Sequence, residues 1–199
     1  RSLRTGGCLY ALGEGGARRL RDEGYPARFR GSRDVGWSQP YHRTLANDLA
    51  IDAIRKGQVV WTEREIQTRR APFKELQSHV PDVLIQQQPD LDDNLTWVEV
   101  ENTYKSQQRL TRLLDAADVL LSQPDGYWVE EYFIDRMVFA VPNPRAARSV
   151  VRAVESQWAA DRMHERTLDR IWLWPCRLTP SLRWHGVHNE LPVKSLASG

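Results

Sequence analysis

The chain has 199 residues, with 28 Lys and Arg against 26 Asp and Glu, and a formal net charge of +2. This length suits one domain, or one domain with a small appendage. A hydrophobic fraction of 41% is enough for a core, and it argues against long disorder, collagen and coiled-coil arrays. No apolar run approaches the roughly 18 residues that a membrane-spanning helix needs. Cys8 and Cys176 are far apart, and we expect them to be reduced thiols of a cytoplasmic protein, with one disulfide as the alternative.

The charges are unevenly distributed along the chain. Residues 1–33 hold eight arginines and three acidic residues, whereas residues 80–101 hold six acidic residues and no Lys or Arg. Arginine binds phosphate through two parallel hydrogen bonds, although a GC-rich genome would also explain its abundance. A basic arm beside an acidic segment is typical of an enzyme that binds phosphates and holds a divalent metal.

The first segment, residues 1–40, is predicted to be an arginine-rich arm and linker. Within it, residues 8–24 have the pattern of a short strand, a Gly-rich turn and a basic helix, as in the remnant of a winged-helix domain. We expect the core at residues 41–180 and a hairpin with a loose tail at residues 181–199.

The core begins with a helix and three strands. Leu45, Leu49 and Ala53 have helical spacing in a helix predicted over residues 41–56, and Gly57 ends it. Strands are predicted over residues 58–68, 79–87 and 95–103, the first with Glu63 and Glu65 on one face. The last two are joined by a turn rich in Asp, Asn and Pro, which predicts a hairpin.

The second half of the core alternates helices with strands. A helix is predicted over residues 104–122, a strand over 135–142, a helix over 144–160 and a strand over 170–178. Asn143 and Pro144 suit the cap and first turn of the second of these helices. This order predicts an α/β fold, with a mixed sheet flanked by helices.

Three carboxylates are the strongest candidates for chemistry. Glu99 and Glu101 lie two apart on one strand and so share a face, and the hairpin would bring Asp82 close to them. Three converging carboxylates repel one another unless a cation such as Mg²⁺, with Mn²⁺ as a substitute, lies between them. The alternative is that Glu99 and Glu101 are solvent-facing, because alternating Val and Glu is also typical of an exposed strand.

The run Pro81-Asp82, followed by Glu99-Val100-Glu101 on the next strand, resembles the PD-(D/E)xK nuclease superfamily. The resemblance covers residues 41–142 and an α-β-β-β-α-β order, and it is greatest to the domain of replication-relaxation or mobilisation accessory proteins of mobile elements. It implies a restriction-endonuclease-like core that cleaves or nicks DNA with a metal ion. Replication or mobilisation proteins are the partners it implies, and double-strand cleavage would suggest a homodimer.

Carried over by position, the resemblance makes Asp82 and Glu99 metal ligands. Glu101 takes the place usually held by lysine, and it would act as a third ligand. Lys105, in the following helix, would supply the missing cation from a shifted position. Such a site often has a further acid, for which the candidates are Asp48 on the first helix and Glu63 or Glu65 on the first strand.

Contacts with the DNA backbone are expected from two helices. The candidate residues are Arg18, Arg19, Gln108, Arg109 and Arg112. Two other functions stay open: a non-catalytic DNA-binding module that keeps the nuclease fold, favoured by Glu101 in place of lysine, and a protein-interaction domain without a nucleic acid partner.

Other conspicuous residues are given structural roles. We expect His42 to cap or pack its helix, and Trp172 and Trp174 to pack in the core rather than stack on bases. The acidic turn at residues 88–94, with Asp90, Asp92 and Asp93, is interpreted as a solvated loop. The spacing of Cys176, His185 and His188 fits no common zinc site.

Overall fold

A computed structural model describes residues 14–24, 40–71, 79–89, 93–101, 107–124, 127–178, 184–187 and 190–197. The helices are α1 (Glu14–Asp22), α2 (Pro40–Arg55), α3 (Glu63–Gln67), α4 (Gln107–Leu121), α5 (Pro144–Ala159), α6 (Glu165–Asp169) and α7 (Val193–Ala197). The strands are β1 (Val59–Thr62), β2 (Val83–Gln86), β3 (Asn94–Val100), β4 (Tyr127–Val129), β5 (Tyr132–Val141), β6 (Ile171–Leu178), β7 (Trp184–Val187) and β8 (Leu191–Pro192).

The strands form one mixed sheet in the order β1-β2-β3-β5-β6-β7, with β4 beside β5 and β8 beside β6. β1, β2 and β3 are an antiparallel meander, whereas β5 is parallel to β3 and β6 is parallel to β5. α4 crosses between β3 and β5, and α5 leads from β5 towards β6. The prediction of a mixed α/β sheet flanked by helices is confirmed.

Helices cover both faces of the sheet. On one face, Leu45 and Leu49 of α2 pack against Val83, Val98 and Val100. On the other face, α4 and α5 pack against Leu84, Trp97 and Phe139 among others. Both faces of the central strands are therefore buried, as expected for strands in the parallel part of a sheet.

The main helices follow their local sequence signals. The buried residues of α4 have helical spacing; they are Leu110, Leu113, Leu114, Ala117, Leu120 and Leu121. The Asn143 side chain accepts a hydrogen bond from the Ala146 backbone N–H, and Pro144 occupies the first turn of α5, as predicted. Gly57, at φ +80°, takes the left-handed conformation that ends α2.

The prediction of one strand over residues 58–68 is wrong. β1 ends at Thr62, and α3 begins at once because Thr62 and Glu65 form a capping box. The Glu65 carboxylate accepts hydrogen bonds from the backbone N–H and the hydroxyl of Thr62, at 2.9 and 2.7 Å. Glu63 and Glu65 therefore do not share a strand face.

The C-terminal segment joins the sheet of the core, since β7 and β8 both pair with β6. The N-terminal basic helix predicted within residues 8–24 corresponds to α1, while the strand predicted before it lies outside the described residues. Within the described part of the chain, no helix has both the length and the apolar character needed to cross a membrane.

Candidate functional site

The β2–β3 hairpin brings two of the predicted carboxylates to the same edge of the sheet. Val83 pairs with Val98, so one step further along the ladder Asp82 lies opposite Glu99. Glu101 follows directly after β3, and its backbone N–H donates to the Ala140 carbonyl at 2.9 Å. This edge is also the carboxyl end of β3, where α/β proteins commonly bind ligands.

Asp82 is fixed by three elements. Its Oδ1 lies 2.8 Å from Nε2 of His42 in the first turn of α2, and its Oδ2 accepts a hydrogen bond from the Val100 backbone N–H at 2.8 Å. Its carbonyl accepts from the backbone N–H of Glu63, at the start of α3. The carboxylate is mostly buried, so its orientation is set by these contacts.

Glu99 is held by two aromatic rings. Its Oε1 accepts a hydrogen bond from the indole N–H of Trp97 at 2.9 Å and lies 3.1 Å from Nε2 of His79. The His79 ring stacks on the Trp97 ring, with 5.9 Å between centroids and 16° between planes. Both contacts reach the same oxygen.

Glu99 is only 3% exposed and Glu101 is fully buried. The alternative interpretation of these two glutamates as solvent-facing strand residues is therefore wrong. The alternation of Val and Glu does not indicate an exposed face here, because helices cover both faces of the sheet. Val98 and Val100 face α2, and the alternate residues Trp97, Glu99 and Glu101 lie on the opposite face.

The two further acids predicted as ligands have other surroundings. Asp48 is half-buried on α2, and this burial raises the pKa of its carboxyl group. Glu65 is engaged in the capping box of α3. Within the described residues, no three His, Cys, Asp or Glu side chains come close enough together to form a metal-binding group.

The two histidine partners are the part of the site that the sequence did not reveal. His42 was expected to cap or pack α2, and it instead contacts the Asp82 carboxylate. The sequence pattern predicts no role for His79. The signal that was available is its position three residues before Asp82, which places it next to the predicted hairpin.

The residues predicted to bind DNA are exposed. Arg18 and Arg19 lie on α1, where Arg19 pairs with Glu23 at 3.1 Å, and Gln108, Arg109 and Arg112 lie on the outer surface of α4. Lys105, together with Asp90 and Asp92, lies outside the described residues, whereas Asp93 is exposed as predicted.

The remaining candidates are structural where they are described. Trp174 is 6% exposed and Trp172 packs against the same cluster beneath α2. The Cys176 thiol donates to the Trp174 carbonyl at 3.0 Å, and burial raises the pKa of this thiol to about 12. Such a thiol is a poor metal ligand at neutral pH; His188 and the side chain of His185 are outside the description.

The donor set suits a hard cation. Mg²⁺ prefers oxygen ligands and is commonly held by one or two carboxylates, with waters and substrate phosphates completing its shell. Asp82 and Glu99 supply two carboxylates at one edge, and both of the described contacts of Glu99 reach its Oε1. The absence of a three-residue group among the described side chains is compatible with such a site.

Comparison with known proteins adds no relative: no family model matches the chain, and no match was found among curated proteins or solved structures.

Proposed function

We propose that this chain is a Mg²⁺-dependent DNA nuclease that cleaves or nicks phosphodiester bonds, with its site centred on Asp82 and Glu99. The observation that carries the proposal is the β2–β3 register, which sets Asp82 opposite Glu99 at the carboxyl end of β3 with buried Glu101 directly after it. Buried carboxylates are costly in free energy, and clusters of them are common at functional sites.

The order of elements supports the proposal. α2, β1, β2, β3, α4 and β5 follow one another as the restriction-endonuclease-like αβββαβ order requires, with α3 and β4 as additions. β5 returns parallel to β3, so that Glu99 and Glu101 lie at the edge from which α4 and α5 depart.

In this function the protein residues would hold the metal ion and orient its ligands. Asp82 and Glu99 would be the metal ligands, His42 and the Val100 backbone N–H would fix Asp82, and Trp97 and His79 would fix Glu99. When bound, Mg²⁺ would supply an activated water and offset the negative charge that builds up on the phosphate.

The test measures metal binding and plasmid nicking on the same samples. Asp82→Asn and Glu99→Gln preserve side-chain shape while removing the charge. Because both charges are needed to hold the cation, we expect each variant to lose calorimetric Mg²⁺ and Mn²⁺ binding and to nick supercoiled plasmid at least about 100-fold more slowly.

Asp118→Asn is the matched control. Asp118 also contacts a histidine, with its Oδ2 2.9 Å from Nδ1 of His164, but it lies in the last turn of α4, at the end of the helix away from the carboxyl end of β3. This variant should retain both activities. Metal-dependent nicking that survives in Asp82→Asn or Glu99→Gln would show that the reaction takes place elsewhere.

A second candidate function is a non-catalytic DNA-binding module. Two observations favour it: protein donors already engage Asp82 and Glu99, and Glu101 takes the position of the superfamily lysine. In that case well-folded protein would neither bind metal nor nick DNA, and it would shift DNA in a salt-sensitive, metal-independent way. Replication or mobilisation proteins would then be the partners it recruits, and a homodimer is expected only if both strands are cut.

A further inference from the structure

A groove runs along one side of α5, next to the buried stripe of the helix. It has a volume of about 430 Å³ and lies between α5, β6, β8 and α7. Most of its lining is apolar: Pro144, Ala147, Val151, Leu173, Pro175, Leu191 and Leu196. Ala147, Val151 and Leu191 are only partly buried, so the groove presents an apolar floor to the solvent.

The apolar surface extends beyond the groove itself. Leu196 is 40% exposed on α7, and Trp158 is 45% exposed near the end of α5. Trp158 lies seven residues after Val151, which puts it on the same stripe of the helix roughly 10 Å further along. A small molecule that filled the groove would leave Trp158 uncovered, whereas a helical segment of a protein would reach both.

The rim of the groove is basic. Arg148 and Arg152 are exposed, lie one turn apart on α5 and line the groove. In the part of the chain that is described, neither arginine forms an ion pair. Glu155 alone is acidic among the described lining residues, so the rim favours a ligand with acidic flanks.

We propose that this groove is the docking site of an acidic amphipathic helix from a partner protein. Apolar side chains spaced three and four residues apart would lie on Ala147, Val151 and Leu191, and flanking carboxylates would pair with Arg148 and Arg152. Nucleic acid fits less well, because its phosphates would use the arginines but leave the apolar floor uncovered. The proposal is independent of the nuclease site, since it uses none of the carboxylates at the end of β3.

The test uses the whole chain and a fluorescent peptide probe of about 18 residues, with leucines at helical spacing and glutamates on both flanks. Two control peptides replace the glutamates with lysines or the leucines with serines. We expect saturable binding of the acidic leucine peptide by fluorescence anisotropy, and binding at least about tenfold weaker for both controls.

Variants assign the binding to the groove. The double variant Arg148→Glu/Arg152→Glu should weaken peptide binding about tenfold or more, and Leu196→Ser about threefold. The matched controls are Arg109→Glu/Arg112→Glu and Val119→Ser, which change exposed residues of the same types on α4 and should leave peptide affinity within about twofold. Circular dichroism and Tm would verify that each variant is folded.

Four outcomes would overturn the proposal. They are the absence of saturable binding, equal binding of the lysine peptide, an equal loss in the α4 controls, and a loss of DNA affinity in Arg148→Glu/Arg152→Glu without a loss of peptide affinity. A fifth is self-association that Leu196→Ser abolishes, because a second copy of the chain would then occupy the groove.

Discussion

The two faces of β3 are both buried, but they differ in the polarity of the side chains that they bury. Towards α2, Val98 and Val100 are fully buried in an apolar cluster that also contains Trp174 and Cys176. Towards α4 and α5, the strand begins equally apolar with Leu95 and Trp97. At and just after its carboxyl end this face becomes acidic, and Glu99 and Glu101 are buried there like Val98 and Val100 on the opposite face.

The difference shows that burial alone does not assign a role to a residue. The α2 face stabilises the fold through apolar contacts, which are worth about 25 cal/mol per Å² of buried apolar surface. The carboxyl end of the other face keeps carboxylates whose desolvation opposes folding, typically by several kcal/mol per ion. Under the proposed function, this cost is explained by the need to hold a cation at that edge.

The largest effect is expected from placing an acid on the apolar face. Val98→Asp would bury a charge under α2 without the donors that Glu99 has, and we expect it to lower the free energy of unfolding by about 4 kcal/mol or to prevent folding. Val59→Asp, on the exposed side of β1, is the control and should cost less than about 1 kcal/mol in urea unfolding. Equal losses would mean that burial under α2 does not determine the cost of the introduced charge.

Two buried tryptophans allow a finer comparison. The Trp97 N–H donates to Glu99, whereas the buried Trp174 Nε1 has no hydrogen-bond partner among the described residues. Trp→Phe removes ring volume in both cases, but only Trp97→Phe also removes a donor from a buried carboxylate. We expect Trp97→Phe to cost about 1–2 kcal/mol more than Trp174→Phe in urea unfolding. Equal costs would show that the Trp97–Glu99 bond adds nothing to stability.

Asp118 on α4 is a carboxylate outside the sheet, and its contribution to stability should depend on pH. Burial alone would raise the pKa of Asp118, but its contacts with the backbone N–H and the ring of His164 outweigh burial, and the pKa lies below its ordinary value. When the pKa of a carboxyl group is lower in the folded than in the unfolded state, its ionised form stabilises the fold. This stabilisation is complete above the pKa of the unfolded state, and it is lost as the pH falls through the pKa of the folded state. Asp118→Asn should therefore cost about 1 kcal/mol at pH 7, and the difference should shrink below about pH 4. A difference that persists undiminished at lower pH would contradict this account.

The smallest effect concerns the access of water to the face of the sheet that α2 covers. With the pKa of Cys176 raised to about 12 by burial, its thiol should be protonated at pH 8. In a Cys8→Ser variant, we expect almost no reaction with a disulfide reagent at pH 8 in the folded protein, and complete reaction in guanidinium chloride. Rapid modification of the folded protein would mean that water reaches this side of the sheet.

The sequence predicted the long elements because their signals are local. The leucine spacing of α4 and the Asn143-Pro144 start of α5 are complete within one helix. The change from β1 to α3 is also encoded locally, by the capping box, but the residues from Val59 to Trp61 favour a strand, and this preference outweighs the weaker capping signal in the prediction.

The site was predictable only in part. The pairing of Asp82 with Glu99 could be predicted, since they lie on consecutive strands of one antiparallel hairpin. The contacts of Asp82 with His42 and of Glu99 with His79 join residues 40 and 20 positions apart, and no local pattern encodes them. The burial of Glu101 depends on packing that forms only in the assembled sheet.

The parallel pairing of β3 with β5 has a consequence for how the chain folds. Glu99 pairs with Phe139, so the roughly 40 residues between them, α4 included, must be synthesised before β3 can gain its neighbour on that side. Contacts this distant in sequence form slowly and late. During synthesis the hairpin that carries Asp82 and Glu99 would therefore form first, and it would stay without its β5 neighbour until β5 had left the ribosome.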